Sequence, residues 1–217
     1  MRSVVPPTVT LSFDNGPTPG VTEDVLGVLA AHAVPATFFV VGQRLADPAG
    51  RTAVRRALAD GHRVGGHTWS HQVPFGLADD ATLDRELDDT SRAVADVGGD
   101  PLLFRPYGVG GALDERLMSG HGAARLCAGG FTCVLWNSVP RDWVDPHGWP
   151  DVALASIDTR PWSVVVLHDL RAAALDRLDA FLLACRRRRA VFTLATPDDC
   201  TPVRAGAPTA SYALLGV

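Results

Sequence analysis

The sequence predicts an α/β fold, a largely parallel sheet or barrel with its helices outside. Seven short apolar segments alternate with helical ones along the 217 residues, as strand–helix units do. Most of these strands are apolar throughout, the mark of strands covered on both faces. The chemically active polar residues fall just past the C-terminal ends of five of them. In an α/β barrel all such ends open on one face, where active sites lie.

Taken in order, Thr8–Phe13 is β-branched and apolar and stops at the turn signal Asp14-Asn-Gly-Pro17. A helix over Val21–Ala33 follows, with Thr22 as its cap and Val25, Leu26, Val28 and Leu29 along one side. Ala36–Val41 is a continuous apolar run suited to a buried strand. Ala46–Asp60 reads as a helix with an Arg-rich polar face, closed by Gly61. A short strand over His62–Gly66 delivers His67 and His71. Asp80–Val97 is the longest helix and ends at Gly98-Gly99. Leu102–Arg105 is a short strand that breaks into Pro106-Tyr-Gly108, and Leu113–Leu126 reads as a helix interrupted by Gly120 and Gly122. Thr132–Asn137 and Ser163–His168 are two more strands, with a helix over Val152–Thr159 between them. A helix over Ala172–Arg189 and a strand over Val191–Leu194 complete the alternation. Arg186–Arg189 close that last helix, where positive charge complements the helix end.

Length and the lack of any linker point to one domain over residues 1–217. With 47% hydrophobic and 20% charged residues the composition is that of a globular protein. A net charge of −4 argues against nucleic acid or an anionic membrane as the main partner. No run approaches the ~20 apolar residues that a membrane-crossing helix needs. The opening residues Met1–Thr10 lack the long apolar segment of a secretory leader, so a cytoplasmic protein is expected. Four cysteines without Cys-x-x-Cys spacing read as reduced thiols. Oligomeric state stays open.

Two imidazoles four residues apart, His67 and His71, can converge on one point and supply half of a tetrahedral metal shell. Alone, such a pair is as readily part of an ordinary loop. Its company is what counts: Asp14 and Asn15 after the first strand, Arg105 and Tyr107 after the fourth, Asp142 and Trp143 after the fifth, His168 ending the sixth. Each has a plainer reading. Asp14 can be a turn former, His168 a satisfied core histidine, Asp142 an ion-pair partner in a loop, and Tyr107 and Trp143 packing. The tryptophans, Trp69 and Trp143 among them, offer aromatic faces suited to sugar rings.

The segments Ser12-Phe-Asp-Asn-Gly-Pro17, His67-Thr-Trp-Ser-His71, Phe104-Arg-Pro-Tyr-Gly108, Arg141-Asp-Trp143 and Leu167-His-Asp169 occur in this order. With them the chain resembles the polysaccharide deacetylases of the NodB homology type, carbohydrate esterase family 4, over essentially its whole length. The resemblance implies an irregular (β/α)7 barrel and an N-deacetylase. It implies that Asp14 is the general base and that His67 and His71 hold a divalent metal, zinc first, cobalt or nickel also. Arg105 would orient Asp14, and the Tyr107 backbone amide would face the oxyanion. His168 would be the general acid, held by Asp142, and Leu167 would line the pocket for the acetyl methyl. These roles are chemically coherent. Amide hydrolysis at neutral pH needs an activated water, and a bound metal lowers its pKa toward ~7. The oxyanion needs a dipole or cation, and the leaving amine needs a proton.

Three positions depart from the family pattern. Asn15 stands where a second aspartate is the usual third metal ligand, which predicts weaker metal binding. The Arg-x-Pro-Tyr spacing is shortened to Arg105-Pro-Tyr107, and one missing residue alters the reach of a strand end by up to ~3.5 Å. Val139 replaces an acidic residue. The leading expectation is a metal-dependent hydrolase removing an N-acetyl group from an amino sugar, as a small molecule or oligosaccharide inside the cell. The alternatives are a metal-independent member that uses Asp14 and His168 as an acid/base pair on a non-sugar substrate, and a non-catalytic carbohydrate binder.

Overall fold

The computed structural model describes residues 5–170 and 175–217. Its strands are β1 (Thr8–Asp14), β2 (Thr37–Val40), β3 (Arg63–Gly66), β4 (Leu103–Phe104), β5 (Thr132–Cys133), β6 (Trp162–His168) and β7 (Val191–Phe192). They form one parallel sheet in the order β6-β1-β2-β3-β4-β5. β7 pairs with Thr8 and Val9, the part of β1 that β2 leaves free by pairing only with Ser12–Asp14.

The sheet curls into an irregular (β/α)7 barrel. A hairpin that the sequence did not announce, β8 (Val203–Arg204) and β9 (Ala207–Pro208), lies antiparallel on the outer edge of β5. Because β8 occupies that edge, β5 and β6 do not form a ladder. The chain beyond Cys133 instead leaves the sheet, tied by Leu135 N to Cys200 O at 2.8 Å. Closure comes from a single bridge between Ser138 and Val165. The apolar run Thr132–Asn137 is therefore paired as a strand only over its first two residues.

The helices are α1 (Val21–Ala31), α2 (Pro48–Ala59), α3 (Asp80–Asp96), α4 (Gly120–Ala128), α5 (Trp149–Thr159) and α6 (Leu175–Arg187). Four differ from expectation at their starts, α2 because Asp47 caps it through Ala49 N and so sets its first residue at Pro48 and not Ala46. Thr22 does not cap α1: Glu23 accepts from Gly20 N at 2.7 Å, while the Thr22 hydroxyl turns to Asp169 Oδ2 at 2.6 Å. α4 begins at Gly120 because Ser119 caps it through Gly122 N, so residues 113–119 stay outside the helix. α5 begins at Trp149, with Pro150 in its first turn. Of the helix expected over 172–189, residues 172–174 lie outside the described residues. Among the described residues no helix is long and apolar enough to cross a membrane.

β1 sets the inside and the outside. Val9, Leu11 and Phe13 join Leu26, Leu29, Trp149, Leu178 and Phe181 in the main core between sheet and helices. Each such side chain contributes about 1.5–3 kcal/mol by burial. The alternate residues Thr10, Ser12 and Asp14 take the opposite face, where Arg105 is 0% exposed. The outer face holds the fold together, and the inner one carries chemistry.

Candidate active site

The register of β1 on β6 puts Asp14 beside His168. Arg105, arriving from β4, donates from Nη1 to Asp14 Oδ1 at 2.7 Å and to Ser12 Oγ at 2.8 Å. Its Nε and Nη2 donate to the carbonyls of Val134 and Leu135, and its plane lies 4.0 Å from the Phe39 ring centre. Burial pushes the Asp14 carboxyl up, but the adjacent Arg105 guanidinium, above all, outweighs it and holds the group below the ordinary carboxylate range. Asp14 is thus a desolvated base that stays ionised.

His67 follows β3. Its Nδ1 lies 2.9 Å from the Arg105 carbonyl, which can only accept, so Nδ1 carries the hydrogen and Nε2 the lone pair. That Nε2 faces Asp14 Oδ2 at 3.8 Å. Burial keeps the His67 imidazole neutral, Asp14 notwithstanding, so this contact is not an ion pair. The backbone at Thr68 (φ 61°) and His71 (φ 56°) is left-handed and folds the segment back on itself. His71 then lies with its ring centre 4.9 Å from that of His67 and 3.9 Å from that of Tyr107. Burial, reinforced by His67, lowers the His71 pKa to about 3. Glu86 of α3 clamps this loop: Oε2 accepts from Trp69 N and Ser70 N at 2.7 and 2.8 Å, and Oε1 accepts from Ser70 Oγ at 2.6 Å.

On the other side, Asp142 is 0% exposed. Its Oδ1 lies 2.8 Å from His168 Nδ1, and its Oδ2 accepts from His168 N at 2.8 Å. One carboxylate thereby fixes both the backbone and the ring, leaving Nε2 toward the cavity as the exchangeable position. Trp143 stands edge-on to the His168 ring, with centres 4.5 Å apart.

Asp14, Asn15, His67, His71, Tyr107, Trp143 and His168 line one cavity of about 240 Å³. The shortened Arg105-Pro-Tyr107 segment still brings Arg105 to Asp14 and Tyr107 to His71. Leu167 does not line the cavity: it is 0% exposed and packs in the outer core. Val166, two residues before His168 and on its face of β6, takes the place expected of Leu167, together with Leu170. Trp69 is also absent from the lining; it packs where a side chain on Gly42 would stand. Trp149 is core, and His147 is exposed away from the cavity. Gly110 and Gly111, not singled out from the sequence, complete the wall with Gly108, Trp136 and Val139. The Trp136 indole donates to Gly111 O at 2.9 Å.

The donors present fit a divalent ion. Among the described residues no group of three or more His, Cys, Asp and Glu side chains is placed to hold a metal, so an ion here would need the Asn15 amide as well. Asn15 is left-handed (φ 72°), and its Oδ1 is buried without a hydrogen-bond partner. Such an orphan costs about 1–3 kcal/mol, and a cation would satisfy it. Likewise His67 Nε2 and Asp14 Oδ2, two lone-pair atoms facing each other, match positive charge between them. Two neutral imidazoles and an amide bring no charge of their own, which suits binding weaker than a carboxylate ligand would give.

The sequence matches the polysaccharide deacetylase family over residues 2–119. It is 36% identical over 168 residues to a chitooligosaccharide deacetylase of Sinorhizobium fredii, covering 75% of this chain and 72% of that one. The fold is similar to that of a family 4 carbohydrate esterase from Streptomyces lividans in complex with acetate, with TM-score 0.74 and 25% identity over 93% of this chain and 99% of that one. It is similar also to a family 4 acetyl xylan esterase from Clostridium thermocellum in complex with a cobalt ion, with TM-score 0.69 and 26% identity over 86% and 87% of the two chains. By sequence, barrel and the residues gathered at its mouth, the chain belongs to the polysaccharide deacetylase family, carbohydrate esterase family 4.

Proposed function

We propose that this protein removes the N-acetyl group from an acetamido sugar, as a small molecule or a short oligosaccharide, with the help of a divalent metal. The observation that carries the reading is the pairing of two hydrogen-bonded dyads at one cavity, Arg105–Asp14 and Asp142–His168. Asp14, kept ionised, takes a proton from the attacking water as its oxygen bonds to the amide carbon. The oxyanion that forms lies toward the Tyr107 backbone. His168 delivers a proton to the sugar nitrogen, the C–N bond breaks, and acetate and the free amine leave. Zinc, or cobalt or nickel in its place, would be held by His67, His71 and Asn15 and would supply Lewis-acid activation of water and carbonyl.

Val166, Leu170 and Val139 give the acyl group an apolar wall, and Trp143 offers an edge to the sugar ring. A cytoplasmic site of action is part of the proposal, supported by four unpaired cysteines and tested by cell fractionation. The central test is acetate release from N,N′-diacetylchitobiose with added Zn²⁺ or Co²⁺. Turnover abolished by chelator and by Asp14→Ala is the expected result. Turnover indifferent to chelator removes the metal from the scheme, and turnover that survives Asp14→Ala sinks the whole assignment.

A further inference from the structure

Beside the catalytic cavity lies a second hollow of about 310 Å³. The two share Asn15, His71 and Leu170, and the second adds Val41, Gln43, Arg44 and Ser70. We propose that this hollow is a subsite for an anionic substituent, carboxylate or phosphate, bound by Arg44, and that the preferred substrate is an acidic acetamido sugar. The inference rests on the deacetylase reading above and names its substrate class.

Arg44 is half-buried and held in place. Its Nη1 donates to Thr18 Oγ1 at 2.9 Å, and that hydroxyl donates to the Asp169 carbonyl at 2.6 Å, one residue from His168. Its backbone segment is tied to the histidine loop through Gly42 N to Thr68 O and Gln43 N to Trp69 O, both at 3.0 Å. Arg44 therefore moves with the catalytic groups and not with an independent surface loop. Among the described residues Arg44, like Arg51 and Arg141, has no carboxylate within ion-pair distance, and it is the arginine that lines this hollow. The carboxylate whose field it shares is Asp169, which is buried and engaged by Thr22.

Guanidinium offers five donors in a planar fork, and Thr18 engages Nη1. The remaining donors suit carboxylate or phosphate oxygens. The opposite flank of the catalytic cavity is apolar, with Trp136, Val139 and Trp143. A sugar seated with its acetamido group between Asp14 and His168 thus meets cation on one side and apolar wall on the other. An anionic substituent has one favourable direction in which to lie.

The experiment compares kcat/KM of the metal-supplemented protein on neutral N-acetylglucosamine, N-acetylglucosamine 6-phosphate and N-acetylmuramic acid. The phosphate and lactyl-carboxylate arms identify which anion the subsite takes. At least one acidic sugar is expected to exceed the neutral one by about ten-fold or more, the scale of a charge-assisted contact. Arg44→Gln should bring that ratio close to one through KM, and Arg44→Lys should restore part of it. Added salt should erode the preference in wild type. Equal kcat/KM on neutral and acidic sugars overturns the subsite alone. A ratio unchanged in Arg44→Gln, or one that survives because all three sugars lose equally, also overturns it and makes Arg44 a structural residue. Turnover of N,N′-diacetylchitobiose without turnover of any of the three overturns the subsite alone, and no turnover of any of the four overturns the deacetylase reading and the subsite with it.

Discussion

Arg105 donates to Asp14 at 2.7 Å inside a barrel where the guanidinium is 0% exposed. Burial alone would protonate that carboxylate; Arg105 is the chief reason it stays charged. Replacing Arg105 with Met removes the chief opposition to burial, so the acid limb of kcat/KM should move to higher pH as Asp14 becomes harder to ionise. The substitution also strands a buried charge and two carbonyls, a loss of about 3–5 kcal/mol. The sign of the pH dependence follows from the depressed native value. In wild type the contribution is fully present above the ordinary carboxylate range near ~4 and is lost as pH falls through the lower native value. Urea midpoints of wild type and Arg105→Met should therefore converge in acid. Parallel curves at all pH values would contradict the ionised assignment.

Asp142 does two things for His168, orienting the ring through Nδ1 and holding the strand end through the backbone amide. Asp142→Asn keeps the shape but replaces an acceptor-only carboxylate with an amide that can turn an N–H toward Nδ1, loosening the ring's orientation and tautomer. A positioned general acid is worth about 10²–10⁴ in rate. The expected result is a fall in kcat of about 10² or more with KM little moved. A loss confined to KM would instead make Asp142 a binding residue.

Asn15 Oδ1 is buried without a partner among the candidate ligands. Asn15→Asp adds a negative charge where a cation is expected, and aspartate tolerates the left-handed backbone at this position (φ 72°). Titration calorimetry should show Zn²⁺ and Co²⁺ binding about ten-fold tighter or more, together with a higher melting temperature in excess metal. Asn15→Ala should weaken binding. Identical affinities across all three proteins would mean that the amide is not a ligand.

What was legible in the sequence was whatever local chemistry dictates. Turn and strand signals placed Asp14 and His168 at the ends of the first and sixth strands, the pairing of those two strands being added by the fold, and the barrel follows from the alternation of apolar strands with helices. The uniform run Ser163–His168 hid which residues face inward, because a strand buried on both sides has no polar alternation to read. Counting back by two from His168 would have chosen Val166 over Leu167. Glu86 was invisible for another reason: it is one acid on an amphipathic helix, and its partners Trp69 and Ser70 are brought to it only by the fold. The hairpin Val203–Pro208 carries almost no apolar signal, since it pairs along an edge and covers little.

Asp169 is a buried acid that the reaction does not use. Its Oδ2 accepts from Thr22 at 2.6 Å, its Oδ1 is buried without a partner, and its carboxylate packs where a side chain on Gly16 would stand. Burial, partly opposed by Thr22 and Arg44, pushes its pKa up to about 6. Here the native value lies above the unfolded one, so the sign is opposite to that of Asp14. As pH rises from ~4 to ~6 the unfolded chain gives up this proton readily while the folded one resists, and stability falls across that window and then levels. The gap between an ordinary 3.8 and about 6 corresponds to ~3 kcal/mol. Asp169→Asn has nearly the same volume, can still accept from Thr22, and carries no charge to desolvate. The variant should match wild type near pH ~4 and exceed it near pH ~7.5, read as urea midpoints in parallel buffers. If the two proteins differ by the same amount at both pH values, the strain lies in the packing against Gly16 and not in the buried charge.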